Sequence, residues 1–153
     1  MEFKETDYAS RIKCKKLLSK VMSAEEAAEF VKPNMTLGCS GFTATGYPKL
    51  VPLAIAAKGT AKNLTVLSGA SCGDELDGAL ARAGLVGRRA PFNVNKDLRT
   101  SINDGTIDYA DQHLGDMAFQ IRKGFWGNID VAIVEACCIL ENGGVVPTMS
   151  AGI

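Results

Sequence analysis

Short apolar runs alternate with amphipathic segments along most of the chain. Runs 35–39, 64–67 and 129–134 have the length and composition of buried strands, and 129–134 is β-rich enough to predict a buried central strand. Four amphipathic segments predict helices: from about Pro48, from Asp74 to Ala83, from Lys96 to about Asn103, and over 114–123. The alternation predicts an α/β fold, an open and mostly parallel sheet with flanking helices.

Capping and turn signals set several boundaries. Ser23 and Glu26 form a capping-box pattern for a helix that ends before Pro33, and Asn95 can cap the helix from Lys96. The sequence 141–144 signals a hairpin. We expect one domain, with a helical arm over about 1–32 and an α/β core over about 33–153. The last residues resemble a loop just beginning, so we expect a portion of something longer that leaves apolar surface uncovered.

Three loops should meet at the carboxyl edge of such a sheet. They are 40–47, 68–73 and the segment after Val134. Gly41 and Gly46 fit two interpretations: a strand-to-helix turn that needs glycine, or a site where a ligand approaches the main chain.

Composition narrows the function classes. The 153 residues balance 17 basic against 17 acidic side chains, which argues against a nucleic-acid surface. No membrane span and no signal-peptide core is visible, so we expect a cytoplasmic protein. The five cysteines have no metal-ligand spacing, which predicts reduced structural thiols and no metal site.

Each polar candidate has a plain structural alternative. Ser71 either binds a carboxylate or acyl oxygen, or is an ordinary loop serine that caps a helix. Glu135, at a strand end, is either a base or nucleophile with a raised pKa, or a group bonded to nearby amides. His113, the only histidine, fits a helix cap better than a catalytic triad.

Two groups of charged residues have similar alternatives. The arginines Arg88, Arg89 and Arg99 either anchor an anion or are solvated surface charges. The acids Asp74, Glu75 and Asp77 are explained by the dipole of the helix that they begin.

A series of short motifs occurs in order between about residues 12 and 152. It comprises Gly41-Phe42-x-x-x-Gly46-x-Pro48, Gly69-Ala70-Ser71-x-Gly73, Pro91-Phe92-Asn93, Arg99-x-x-Ile102-Asn103, His113-Leu114-Gly115, Val134-Glu135-Ala136 and Gly143-Gly144-x-Val146-Pro147-Thr148. Together these motifs resemble the class I coenzyme A-transferases, and more narrowly the N-terminal portion of the acetyl-CoA hydrolase/transferase branch.

The resemblance implies transfer of coenzyme A between a short acyl-CoA (acetyl-, succinyl- or propionyl-CoA) and a small carboxylate such as acetate, through a glutamyl-CoA intermediate. It implies no cofactor beyond coenzyme A as substrate, a C-terminal half as partner, and a homo-oligomer when complete. An acetyl-CoA hydrolase is the alternative enzyme. A truncated non-catalytic fragment or binding subunit is the alternative of another class.

The resemblance also assigns residues. The loop around Ser71 resembles part of a carboxylate pocket, and the Gly41–Pro48 loop resembles a wall beside it. The expected substrate-binding residues are Gly41, Phe42, Thr43, Gly46, Gly69, Ser71, Asn93 and Val94, with no catalytic residue and no metal ligand in this chain.

Two departures from the family pattern matter. The family's nucleophilic glutamate lies in the second half of a longer chain, and Glu135 matches a different glutamate, so we expect this chain alone to be inactive. Family members carry threonine where this chain has Val94, which removes a hydroxyl that lines the carboxylate pocket.

Overall fold

The computed structural model describes residues 8–153, and its main sheet has five parallel strands. In chain order these strands are β1 (Thr36–Cys39), β2 (Leu64–Ser68), β3 (Val86–Ala90), β4 (Asp108–Tyr109) and β5 (Val131–Ile133). Their order across the sheet is β4-β3-β2-β1-β5. A separate antiparallel hairpin joins β6 (Ala136–Ile139) to β7 (Val145–Pro147). The predicted open, mostly parallel α/β sheet is confirmed.

Short helices connect the strands. They are α1 (Ala24–Ala28), α2 (Leu50–Lys58), α3 (Ala79–Arg82), α4 (Lys96–Asn103) and α5 (Leu114–Arg122), preceded by a 3₁₀ helix over Lys15–Lys20. A single wide π-helical turn, Asp74–Gly78, leads into α3. The predicted arm over 1–32 contains the 3₁₀ helix and α1, and its first seven residues lie outside the described part of the chain.

Three helix starts have the caps that the sequence predicts. The Ser23 hydroxyl accepts from the Glu26 amide at 3.1 Å, and the Glu26 carboxylate accepts from the Ser23 amide at 2.8 Å. Asn95 accepts from the amides of Asp97 and Leu98. His113 accepts from an amide of α5 through Nδ1, so the capping interpretation of this histidine is confirmed.

The core has two parts, one on each face of the sheet. The larger part includes Leu37, Ile55, Leu64, Leu80 and Leu98, all buried. The smaller part consists of Leu67, Ala90 and Met117, with Trp126 and Ile129 packed against it. The carboxyl ends of the strands therefore emerge between two apolar layers.

The predicted central strand is wrong, and two further strands are not predicted from the sequence. The run 129–134 forms β5 only over Val131–Ile133, and this strand is the edge of the five-stranded sheet, beside β1. Its hydrophobic composition reflects contacts on its faces, not a central position. Strands β3 and β4 have no apolar run, because β3 carries Arg88 and Arg89 and β4 has only two residues.

We expect Asn95→Ala to lower the free energy of unfolding by about 1 kcal/mol, because two amides of the first turn of α4 lose their acceptor. Urea denaturation of both proteins measures the difference. The matched control is Thr100→Ala, which removes an exposed hydroxyl bonded within the same helix and should change the value by less than about 0.5 kcal/mol. Equal losses in the two variants would contradict the capping role.

Candidate functional site

The loops that follow β1 and β2 are joined through their main chains. The Thr43 amide donates to the Ala70 carbonyl at 3.0 Å, and the Cys72 amide donates back to the Thr43 carbonyl at 3.0 Å. Thr43 and Ala70 have φ values of 51° and 61°, which non-glycine residues rarely adopt. The predicted meeting of loops 40–47 and 68–73 is confirmed, and both loops are held in a specific shape.

Glycines allow these loops to touch the end of the chain. A Cβ on Gly46 would lie 2.5 Å from the Ser150 carbonyl oxygen, and one on Gly41 would lie 2.7 Å from the Tyr47 Cα. A Cβ on Gly69 would collide with Gly152 and with the Gly41 carbonyl. At each of these three positions, close approach of neighbouring backbone explains why glycine is required. This favours the turn-geometry interpretation and assigns no ligand contact to them.

Ser71 lies at the centre of this junction and is fully buried. Its amide donates to the Ser68 hydroxyl at 3.2 Å, and its carbonyl accepts from Arg89 Nη2 at 2.9 Å. Its own hydroxyl has no hydrogen-bond partner among the described residues. Gly73, not Ser71, precedes the wide turn as its N-cap residue, so the interpretation of Ser71 as a helix cap is wrong.

A buried ion pair supports the Ser71 loop from below. Arg89 Nε and Nη2 donate to the two carboxylate oxygens of Asp77 at 3.0 and 3.2 Å, and the side chains are 0% and 1% exposed. Nη2 also donates to the Ser68 hydroxyl at 2.8 Å, and Nη1 donates to the Ala90 carbonyl. Burial raises the pKa of the Asp77 carboxyl, and the charge and hydrogen bonds of Arg89 oppose that rise.

This arrangement corrects two expectations. Arg89 is not a solvated surface charge, and every guanidinium nitrogen already donates to the protein, so it is not free to anchor an anion. Asp77 is not simply a first-turn acid placed for the helix dipole, because its carboxylate is buried against Arg89. The charged sequence of β3 does not indicate that Arg89 is buried against Asp77. The turn residues Gly84 and Pro91, which flank this segment, are the available signal for a strand between them.

The remaining predicted site residues lie in the same two loops or in the turn after β3. Phe42 and Val94 are 48% and 49% exposed, and Thr43 is also exposed. Asn93 is half-buried, and its side chain accepts from the Asn95 amide at 2.8 Å. Asn95 in turn donates to Asp74 at 3.2 Å, which ties this turn to the segment after the Ser71 loop.

Glu135 joins the group from the other side. Its amide donates to the Ser40 hydroxyl at 2.9 Å, so the segment after Val134 meets loop 40–47 as predicted. The carboxylate accepts from Lys49 and, at 2.7 Å, from Thr148. The hydrogen bond from Lys49 is the main reason that the pKa of Glu135 lies below its ordinary value. Of the two interpretations of Glu135, the base or nucleophile with a raised pKa is wrong, because the carboxylate has a cationic partner.

Other chemistry finds little support within residues 8–153. These residues contain no group of histidine, cysteine and acidic side chains that could hold a metal ion. All five cysteines are free, and burial raises the pKa of the Cys39 thiol to about 12, as expected for an unreactive structural thiol. None of the described helices combines the length and the apolar character that crossing a membrane requires.

Comparison with known proteins decides the family. The sequence profile of the acetyl-CoA hydrolase/transferase N-terminal domain matches residues 4–153. The chain belongs to this family. The resemblance of its motifs is therefore confirmed over almost the whole chain.

Relatives of this acetyl-CoA hydrolase/transferase domain include both enzyme types. A succinyl-CoA:acetate CoA-transferase of Clostridium kluyveri is 42% identical over 93% of the chain, which covers 27% of that protein. A propanoyl-CoA:succinate CoA transferase of Escherichia coli is 37% identical over 86% of the chain and 28% of the relative. An acetyl-CoA hydrolase of Yarrowia lipolytica is 33% identical over 93% of the chain and 30% of the relative. The domain thus spans less than a third of these relatives.

Solved structures support the same fold. Glutaconate coenzyme A-transferase of Acidaminococcus fermentans superimposes with a TM-score of 0.58 at 23% identity, over 69% of this chain and 35% of that one. An acyl-CoA transferase of E. coli O157:H7 in a thioester complex with CoA gives 0.58 at 21% identity, over 67% and 22%. At these identities the likeness shows the fold alone.

We expect Arg89→Met to lower the free energy of unfolding by about 3–5 kcal/mol near pH 7, because Asp77 is left buried without its partner. Loss of Arg89 raises the pKa of Asp77 further above its unfolded value. A carboxyl with a raised folded pKa destabilises the fold as pH rises, so the penalty should shrink as pH falls toward about 4. Urea denaturation near pH 7 and near pH 5 measures both effects.

The neighbouring arginine supplies the control for this substitution. The Arg88 side chain is 54% exposed and lies 3.8 Å from Asp108, so Arg88→Met should cost less than about 1 kcal/mol. An equal loss in the two variants, or a loss in Arg89→Met that grows at the lower pH, would contradict the buried-pair assignment.

Proposed function

We propose that this domain supplies the N-terminal side of the carboxylate site of an acyl-CoA:carboxylate CoA-transferase. The complete enzyme exchanges coenzyme A between a short acyl-CoA, such as acetyl-, succinyl- or propionyl-CoA, and a small carboxylate such as acetate. The observation that carries the proposal is the buried hydroxyl of Ser71, which has no hydrogen-bond partner within residues 8–153, at the junction of loops 40–47 and 68–73. Names of relatives supply the substrate class.

Burying the Ser71 hydroxyl without a hydrogen bond destabilises the fold, and a ligand that accepted a hydrogen bond from it would remove this penalty. A buried polar group without a hydrogen bond destabilises a fold by about 1–3 kcal/mol, so such groups usually have a partner in the working state. A hydroxyl donates well to a carboxylate oxygen, and a bond to a charged acceptor is stronger than a neutral one. The loop geometry supports a preformed donor that a small carboxylate completes.

The chemical steps follow from the family resemblance. A glutamate carboxylate oxygen attacks the thioester carbon, the C–S bond breaks, and a mixed anhydride and free CoA thiolate form. The thiolate then attacks the glutamyl carbonyl, which releases the first carboxylate and leaves a glutamyl-CoA thioester. The acceptor carboxylate reverses both steps. We place this glutamate outside the chain, because Glu135 is held by Lys49 and Thr148 and belongs to a different motif.

Residues around the C-terminal segment are consistent with further protein packing here. Val134, Val145 and Met149 are 48%, 52% and 83% exposed. We propose that the remaining part of the enzyme covers them, that the complete protein is a homo-oligomer, and that coenzyme A is its substrate with no added cofactor.

An acetyl-CoA hydrolase is the second candidate, because relatives of that name are 31–35% identical to this chain. A hydrolase uses water where the transferase uses an acceptor carboxylate. The two activities therefore differ in whether thioester loss from the acyl-CoA depends on added carboxylate.

The deciding experiment follows the thioester in the full-length protein that carries these residues. With acetyl-CoA, added succinate should produce succinyl-CoA, and omission of the carboxylate should leave the thioester nearly intact. Thioester loss at the same rate without carboxylate would support the hydrolase. Exchange catalysed by residues 1–153 alone would show that the nucleophile lies in this chain and would contradict our assignment.

We expect Ser71→Ala in the full-length protein to raise the KM for the carboxylate at least about tenfold, the effect of a lost hydrogen bond to a charged group. The KM for acyl-CoA should change little. The same substitution should leave the free energy of unfolding unchanged or raise it by up to about 1 kcal/mol, because it removes an unsatisfied buried hydroxyl. An unchanged carboxylate KM, or a clear loss of stability, would mean that Ser71 is structural.

We expect Val94→Thr to lower the KM for a small carboxylate by about two- to tenfold, the net contribution of one added hydrogen bond. The side chains have nearly the same shape, and Val94 is 49% exposed, so the fold should tolerate the change. Steady-state kinetics with acetate and with longer carboxylates measures the effect. The matched control is Val21→Thr, a partly exposed valine (38%) just after the 3₁₀ helix and outside the candidate site, which should leave the KM unchanged.

A further inference from the structure

Both main-chain groups of Ser71 are fixed by a single network. The Ser71 amide donates to Ser68 Oγ at 3.2 Å, and Arg89 Nη2 donates to the Ser71 carbonyl at 2.9 Å. The same Nη2 donates to Ser68 Oγ at 2.8 Å. The peptide group before Ser71 is therefore held by the Ser68 hydroxyl, and the peptide group after it is held by one guanidinium nitrogen.

The neighbouring residues are fixed from the opposite direction. Ala70 and Cys72 both bond the main chain of Thr43, on the facing loop. The main chain over 70–72 is thus held on two sides, and the rotation of one side-chain bond is the main freedom that Ser71 retains. A hydroxyl on main chain that is fixed in this way is preorganised to bind a ligand at one position.

We propose that Ser68 and the Arg89–Asp77 pair are positioning residues, which fix the main chain of Ser71 so that its hydroxyl meets the carboxylate substrate. The inference rests on the proposed function of Ser71. It assigns no substrate contact to the three supporting residues.

Three observations favour positioning over direct binding. The Arg89 side chain is 0% exposed, and its partner Asp77 is 1% exposed. All three guanidinium nitrogens already donate to protein acceptors. The bidentate pairing with Asp77 also neutralises the charge of Arg89, so the pair offers little attraction to a carboxylate. Its influence on the substrate must pass through the Ser71 loop.

The planar fork of Arg89 is essential in this arrangement. It bonds Asp77, Ser68 and the Ser71 carbonyl from one rigid group, which a lysine ammonium on a flexible stem cannot do. Arg89→Lys therefore keeps the charge opposite Asp77 but loses the simultaneous hydrogen bonds to Ser68 and to the Ser71 carbonyl.

A double-mutant cycle in the full-length enzyme tests the proposal. Ser68→Ala should raise the KM for acetate by about three- to tenfold, the net effect of one hydrogen bond, with little change in the KM for acetyl-CoA. In the Ser71→Ala background, Ser68→Ala should have almost no further effect, because it acts through the missing hydroxyl. Arg89→Lys should likewise raise the KM for acetate, and it should have almost no further effect in the Ser71→Ala background. A purely structural role would lower stability and affect both substrates in both backgrounds.

Each outcome has a distinct meaning. Effects of Ser68→Ala that multiply with those of Ser71→Ala overturn the positioning role, and so does an unchanged acetate KM in both Ser68→Ala and Arg89→Lys. If Ser71→Ala itself leaves the acetate KM unchanged, the proposed function of Ser71 fails first. The matched control is Ser101→Ala, which removes a hydroxyl bonded within α4 at 3.2 Å and should leave both KM values unchanged in either background. Thermal unfolding of every variant identifies any that does not fold.

Discussion

The buried pair of Arg89 and Asp77 is the constraint on which the carboxyl edge of the sheet depends. Removing two charges from water costs several kcal/mol per ion, so such a pair persists only where geometry and further hydrogen bonds offset the cost. Here the guanidinium bonds the carboxylate through Nε and Nη2, while Nη2 also donates to Ser68 and Ser71 and Nη1 donates to Ala90. One side chain thereby connects β3, the wide turn before α3, and the loop after β2.

Close backbone contacts at glycines also hold the loops that the ion pair supports. The pair fixes loop 68–73 from below, and the bonds of Thr43 attach loop 40–47 to it from above. Gly46 and Gly69 then allow the main chain of 150–152 to approach both loops at distances that a Cβ would forbid. The segments that meet here are far apart in sequence, so the shape of this edge depends on the whole sheet and not on any loop by itself.

Local signals predicted local structure well, and they failed where a distant partner decides. The caps at Ser23 and Asn95 and the hairpin turn follow from neighbouring residues, and all three are confirmed. Strand β3 was missed because its two arginines conceal a buried position that only Asp77, twelve residues earlier, explains. The sequence leaves open whether the pKa of Glu135 rises, because it does not show that Lys49, distant in sequence, is the partner of this carboxylate. Patterns of hydrophobicity cannot show which charges will meet.

Under the proposed function, the charged and the neutral polar groups at this edge have different roles. A positive charge that attracted the substrate would also bind it tightly before reaction, whereas rate depends on interactions that strengthen toward the transition state. At this edge Ser71 supplies a neutral hydroxyl, while Arg89 is buried and paired with Asp77. A neutral donor selects position and orientation more than charge. Under the proposed function, the Ser71 loop contributes to the position and orientation of the carboxylate, and Arg89 does not attract the anion directly.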